Sequence, residues 1–149
     1  ALYREANTYP HLTEEGVAVQ PAELDAEALH RRAWAVVEPL FAQAEEQGRD
    51  AYKHLQGTES DRVSNDVERV VQAAAFGRVE GLFVARDAHV WGRFDRETGD
   101  VEIHEEQEPG DRDLLDVAAA ETMLNEGWLF VVDPADVPDE GLLAAVLRW

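Results

Sequence analysis

Histidine and acidic side chains are the groups in this chain that could move protons or hold a metal. His11, His30, His54, His89 and His104 are scattered and form no close-spaced pair of the kind a zinc-binding helix presents. His104-Glu105-Glu106 sets one imidazole beside two carboxylates, a combination with ligand chemistry. Strand neighbours point to opposite faces, so these three converge only in a loop. Ser60 and Ser64 are the only serines, neither stands in a Gly-x-Ser-x-Gly run, and both read as helix caps. Cysteine is absent, which removes thiolate zinc sites, cysteine nucleophiles and disulfides. Acid pairs are too numerous for one to stand out as a catalytic dyad, and a solvated acidic face is the default. Gly77-Arg78-Val79-Glu80-Gly81 precedes an apolar run, whereas a dinucleotide site needs its glycines after a strand. The residues thus predict no catalytic, metal or cofactor site. They do offer a binding feature, Trp91 beside Arg93, two residue types enriched at interface hot spots, with acidic Glu105 and Glu106 further along. The competing reading is that Trp91 covers one end of a sheet.

These residues sit in a chain of 149, the size of one ordinary domain, of which 45% is hydrophobic and 30% charged. Thirty-two acids against 13 bases leave a net charge of −19, more than solubility alone requires. Such a field repels phosphate backbones and anionic lipid and attracts basic partners; an acidic host proteome would give the same number. No apolar run approaches the roughly 18 residues of a membrane span, and the N-terminus has no signal-peptide pattern. A soluble, cytoplasmic domain is expected. The chain opens on Ala1 and not on Met, which predicts a piece of a longer protein, with residues 1–23 leading in from an upstream domain and 24–149 forming an α/β domain.

Hydrophobic spacing supplies the elements. Pro10, Gly16 and Pro21 argue against long regular structure in the lead-in. Leu29, Ala33, Val36, Val37, Leu40, Phe41 and Ala44 line one face of a long helix, with a kink expected near Ala35 to Pro39 and a stop at Gly57. In that register Leu40 is expected to pack on the sheet. Val63, Val67, Val70, Val71 and Ala74 mark a second helix, capped by Ser60 or Ser64 and ended by Gly77. Val79 to Ala85 and Trp128 to Val132 are consecutive apolar runs, expected as interior strands covered on both faces. His89 to Phe94 and Val101 to Glu105 read as hairpin arms around the turn Asp95 to Asp100. Asp111 or Asp113 opens a third helix ended before Gly127, and Leu142 to Trp149 closes the chain.

The order of Gly77-Arg78-Val79-Glu80-Gly81-Leu82-Phe83-Val84-Ala85, then Asp113-Leu114-Leu115-Asp116, then Ala144-Ala145-Val146-Leu147-Arg148-Trp149 resembles the C-terminal domain of archaeo-eukaryotic peptide chain release factor 1 and Pelota. In that family the domain closes on an Ala-x-Leu-Arg-aromatic strand, usually with Tyr where Trp149 stands. The similarity is closest to bacterial homologues of these factors and covers roughly residues 60–149, with the preceding helix more loosely. It implies a three-layer α/β/α sandwich with a mostly central mixed sheet, of the kind shared with kink-turn-binding ribosomal proteins. It also implies protein contacts with the ribosome or a translational GTPase. The Gly-Gly-Gln tripeptide of peptidyl release belongs to another domain of the family and does not occur here. The basic RNA-contacting face of the kink-turn binders is missing too, so direct nucleic-acid binding is not expected.

The expected function is therefore a non-catalytic protein-interaction domain of a release-factor-like protein, acting in translation termination, ribosome rescue or stress response. The alternative is an acidic module that mimics nucleic acid toward a basic partner. Partner contacts are expected at Trp91, Arg93, Glu105 and Glu106, with no cofactor and no membrane.

Overall fold

Strand β2 (Val79–Ala85) is the spine of the molecule, and its alternating side chains divide the core in two. A computed structural model describes residues 6–10, 12–18 and 25–149 of the chain. The contacts cluster into two units, Ala1–Glu46 and Gln47–Trp149. His11 and Pro21 of the lead-in lie outside the described residues.

The second unit holds a four-stranded mixed sheet in the order β1-β7-β2-β6. Here β1 is Val63–Ser64, β6 is Trp128–Val132 and β7 is Leu143–Leu147. Strand β2 runs parallel to β6 and antiparallel to β7, and β1 pairs antiparallel with β7. Leu82, Val84, Leu143, Ala145 and Leu147 face one way, onto helices α2 (Val67–Ala75) and α3 (Leu114–Leu124). Phe83, Ala85, Val132, Ala144 and Val146 face the other way, onto Tyr52 and Leu55 from the C-terminal turns of α1 (Ala26–Thr58). Helices thus cover both faces of the sheet. Period-two alternation on a strand with neighbours on both sides buries every residue of β2 except Glu80.

Helix α1 starts where the Asp25 carboxylate accepts the Ala28 N–H at 2.7 Å, and it runs unbroken through Pro39 to the residue after Gly57. Its N-terminal half departs from expectation. Leu29, Leu40 and Phe41 are exposed, Leu40 by 49%, and within the helix Trp34 stacks on both His30 and Phe41. Helical spacing identifies a shared face but not whether anything covers it. Leu40→Ala should accordingly lower the unfolding free energy read from denaturant titration by no more than about 0.5 kcal/mol, in place of the several expected for a core leucine. A larger loss would show that this face is covered.

Two further expectations are corrected. The cap of α2 is Asp66, whose carboxylate accepts the Arg69 N–H at 2.7 Å; Ser60 lies in a 3-10 turn and Ser64 in β1. Strand β6 is an edge strand and not an interior one: Trp128, Phe130 and Val132 face the α1 side, Leu129 the α3 side, and Val131 is 52% exposed. An apolar run cannot distinguish a fully covered strand from an edge strand whose last outward residue escapes its helix. The hairpin arms pair antiparallel as expected, Gly92 with Ile103 and Phe94 with Val101, and they do so outside the four-stranded sheet.

They form a separate three-stranded sheet, β4-β3-β5, from β3 (Trp91–Phe94), β4 (Val101–Ile103) and β5 (Arg112–Asp113). Strand β5 leads directly into α3, whose N-cap is Asp113: its carboxylate accepts the Leu115 N–H at 3.0 Å and the Val90 N–H at 3.2 Å. The Leu114 N–H donates to Val90 O at 2.7 Å, so the small sheet is bolted to the start of α3.

Candidate functional site

The small sheet carries Trp91 and Arg93 of the four side chains singled out for partner contact, and the loop that turns back across it carries Glu105 and Glu106. After β4 the chain passes Glu105 to Glu108, reverses at Pro109-Gly110 with Gly110 at φ +94°, and returns at Asp111. Glycine adopts this left-handed backbone without a Cβ clash, and the reversal brings Asp111 against β3 and β4.

The Asp111 side chain has no exposed surface, covered by its neighbours within a surface loop. One oxygen lies 2.8 Å from His104 Nδ1 and accepts the Glu108 N–H at 2.9 Å; the other lies 3.3 Å from Arg93 Nε. Arg93 also reaches Glu108 at 3.5 Å and donates to Pro109 O at 3.2 Å. His104 Nε2 is 3.2 Å from Glu102. One carboxylate therefore ties two strands to the returning loop.

Hydrogen bonds to Asp111 and then Glu102 push the His104 imidazole above its ordinary value, against partial burial and with added attraction from Asp111 and Glu108. Burial on its own would raise Asp111, but the His104 and Glu108 N–H bonds and the charges of His104 and Arg93 outweigh it and hold the carboxyl below its ordinary value. A raised imidazole stabilises the fold fully below its unfolded value of 6.5, and that contribution is lost as pH rises through the folded value. The lowered Asp111 contributes above 3.8 and is lost as pH falls. Urea midpoints should therefore decline as pH rises above 6.5, and His104→Gln should abolish that decline. An identical decline in the variant would place its origin elsewhere.

Each residue expected at the site now has a place. Trp91 is half-buried and stacks on His89 at 5.5 Å, and His89 Nδ1 is 2.6 Å from the capping Asp113. Arg93 is exposed but committed to Asp111 and Glu108. Glu105 and Glu106 are exposed and line an open concavity of about 490 Å³ together with Ile103 and His104. His104 faces Glu102, Glu108 and Asp111 instead of its sequence neighbours Glu105 and Glu106, and among the described residues no group of three or more His, Asp or Glu is placed to hold a metal ion. Sequence reasoning missed Glu102, Glu108 and Asp111. The signal that could have found them is Pro109-Gly110, a turn that folds Asp111 back on the strand it has just left.

A model of bacterial archaeo-eukaryotic release factor family 3 matches residues 1–78, just over half of the chain. The chain belongs to this family. The match takes in α1 and α2, whereas the sequence resemblance lay mainly on residues 60–149, so the two readings support one another from different halves. Among solved structures the family member is similar to the "C-terminal domain of Peptide Chain Release Factor from Methanosarcina mazei". That match has 14% identity and a TM-score of 0.58, and it covers 85% of this chain and 97% of the other. At this identity the likeness is one of fold. It agrees with the mixed α/β architecture that the resemblance implied. A search of curated proteins returned no match. Among the described residues of this family 3 chain, no helix is long and apolar enough to cross a membrane.

Proposed function

We propose that this chain is a non-catalytic protein-interaction domain of a release-factor-like protein, working in translation termination, ribosome rescue or the stress response. Family membership and the release-factor fold support the setting. The observation that carries the contact surface is the loop after β4. Arg93, Asp111 and His104 tie it to the small sheet, while Glu105 and Glu106 form no ion pair among the described residues and stand exposed beside half-exposed Ile103. An acidic edge next to an apolar residue suits a basic protein surface, because complementary charge speeds encounter and apolar contact adds affinity. A ribosomal protein or a translational GTPase fits that description, and the net charge of −19 disfavours nucleic acid as a direct partner.

Co-sedimentation with ribosomes and binding to purified translational GTPases test the reading. Binding to one of them is expected, weakening with salt and falling roughly tenfold in the Glu105→Lys, Glu106→Lys double variant. No binding to either, or binding indifferent to the double variant, would remove the proposal. Capture of a nucleic-acid enzyme in competition with DNA would favour the acidic-mimic alternative.

A further inference from the structure

We propose that the cavity between α2 and the β3–β4 loop binds an oxyanion, phosphate or carboxylate, carried on an aromatic or apolar body. It has a volume of about 300 Å³ and is lined by Arg69, Gln72, Phe76, Arg78, Thr98 and Gly99, with no acidic side chain in its wall. In a chain with 32 acids and 13 bases, two arginines sharing one acid-free cavity run against the composition. Arg31, Arg62, Arg86, Arg93 and Arg96 all pair with carboxylates. Arg69 and Arg78, like Arg32, Arg112 and Arg148, form no such pair among the described residues; Arg69 and Arg78 each give one N–H to a main-chain oxygen, Asp61 O at 2.7 Å and Trp149 O at 3.1 Å. A guanidinium has five N–H donors, so both keep donors to spare in the fork geometry that matches an oxyanion.

The rest of the wall is arranged accordingly. Gln72 Nε2 donates to Gly99 O at 2.9 Å and pins the loop to the helix. Thr98 Oγ1 accepts the Asp100 N–H at 3.2 Å, which leaves its hydroxyl hydrogen free to donate. Asp95, in the same loop, has its Oδ1 taken by the Glu97 and Thr98 N–H groups at 2.8 and 3.2 Å. Phe76 is 60% exposed and presents an uncovered ring at the cavity, a platform for a flat apolar group. Both arginines are exposed, each held by one main-chain hydrogen bond with donors left for an incoming anion. This cavity lies on different elements from the acidic edge, and its occupancy does not depend on that surface.

Amide-shift titrations of the full chain at constant ionic strength, with phenyl phosphate, benzoate and inorganic phosphate as probes, test the proposal. Saturable shifts are expected at Arg69, Thr98 and Gly99. Arg69→Gln and Arg78→Gln should each weaken binding at least tenfold, while Arg96→Gln, which removes a guanidinium paired with Glu121 outside the cavity, should leave it unchanged. Preference for phenyl phosphate over benzoate assigns the anion as phosphate, and the reverse assigns carboxylate. Phe76→Ala should erase the advantage of phenyl phosphate over inorganic phosphate. If Arg78→Gln does not fold, having lost its bond to Trp149 O, Arg69→Gln and Phe76→Ala decide the matter. Shifts that never saturate, or an equal loss in Arg96→Gln, would show only a general charge effect and overturn the site; equal binding of phenyl phosphate and inorganic phosphate would overturn the apolar half of it.

Discussion

Gly81→Ala should destabilise the protein by about 3 kcal/mol, the upper end of what one added methyl group does in a packed core. Gly81 on β2 pairs in register with Trp128 on β6, and the indole folds across the glycine. A Cβ at this position would stand 1.8, 2.0 and 2.2 Å from three atoms of the indole, distances no contact tolerates. The ring cannot slide away freely. Its edge meets Phe83 at 5.4 Å and 74°, Phe130 lies 5.4 Å away, and a Cβ on Gly48 of α1 would come within 3.3 Å of its rim. Two glycines thus make room for one tryptophan between a strand and a helix. Gly57→Ala, where nothing lies within 4 Å, is the control and should leave stability unchanged or slightly raised. Denaturant midpoints read both, and a Gly81→Ala protein as stable as the parent would mean the indole packs elsewhere.

Phe83→Ala should cost more, about 3–5 kcal/mol. Phe83 is fully buried at the centre of β2, touches Trp128 and Phe130 with ring centroids 5.4 and 5.5 Å away, and has the Arg49 guanidinium 5.9 Å from its own centroid. Truncation removes the ring that both neighbours lean on. The cavity left cannot collapse easily, because α1 is held nearby by Tyr52, whose hydroxyl donates to Asp139 at 2.8 Å, and by Gln56 on the same carboxylate. Burial, and then that hydrogen bond and charge, raise the Tyr52 phenol far above its ordinary value, so the clamp persists across the working pH range. Since Phe83 and Gly81 act through the same indole, their effects should not add: with Phe83 already alanine, Gly81→Ala should cost less than it does alone, because the indole then has space to move into. Additive losses in the double variant would disprove the shared packing.

Much of the secondary structure was legible because it depends on local chemistry. Val79 to Ala85 is the strand that consecutive apolar residues indicate, Asp113 caps the helix it precedes, and Gly127 lies just beyond that helix's end. The long helix was legible too, since residues three and four apart share a face whatever surrounds them. The candidate surface was legible only in part. Arg93 and the acidic loop stood out by residue type, but the role of Asp111 depends on a chain reversal that carries it back to His104, and that is a matter of distance in space and not of spacing in sequence.

Composition and local pattern by themselves determined that the chain is acidic, lacks cysteine and alternates helices with apolar strands, because each of these needs no more than a few neighbouring residues. Tertiary structure decided the rest. Val131 and Leu40 look like core in the sequence yet meet solvent, since burial depends on what packs above a residue. The hairpin arms pair with each other as their spacing indicates, but that they build a second sheet with Arg112–Asp113, separate from the main one, depends on non-local hydrogen bonds. Arg69 and Arg78 read as two scattered bases, and only the packing of α2 against the β3–β4 loop brings them to one cavity. A sequence encodes faces, but which faces meet is settled by the competition of all of them for a single core.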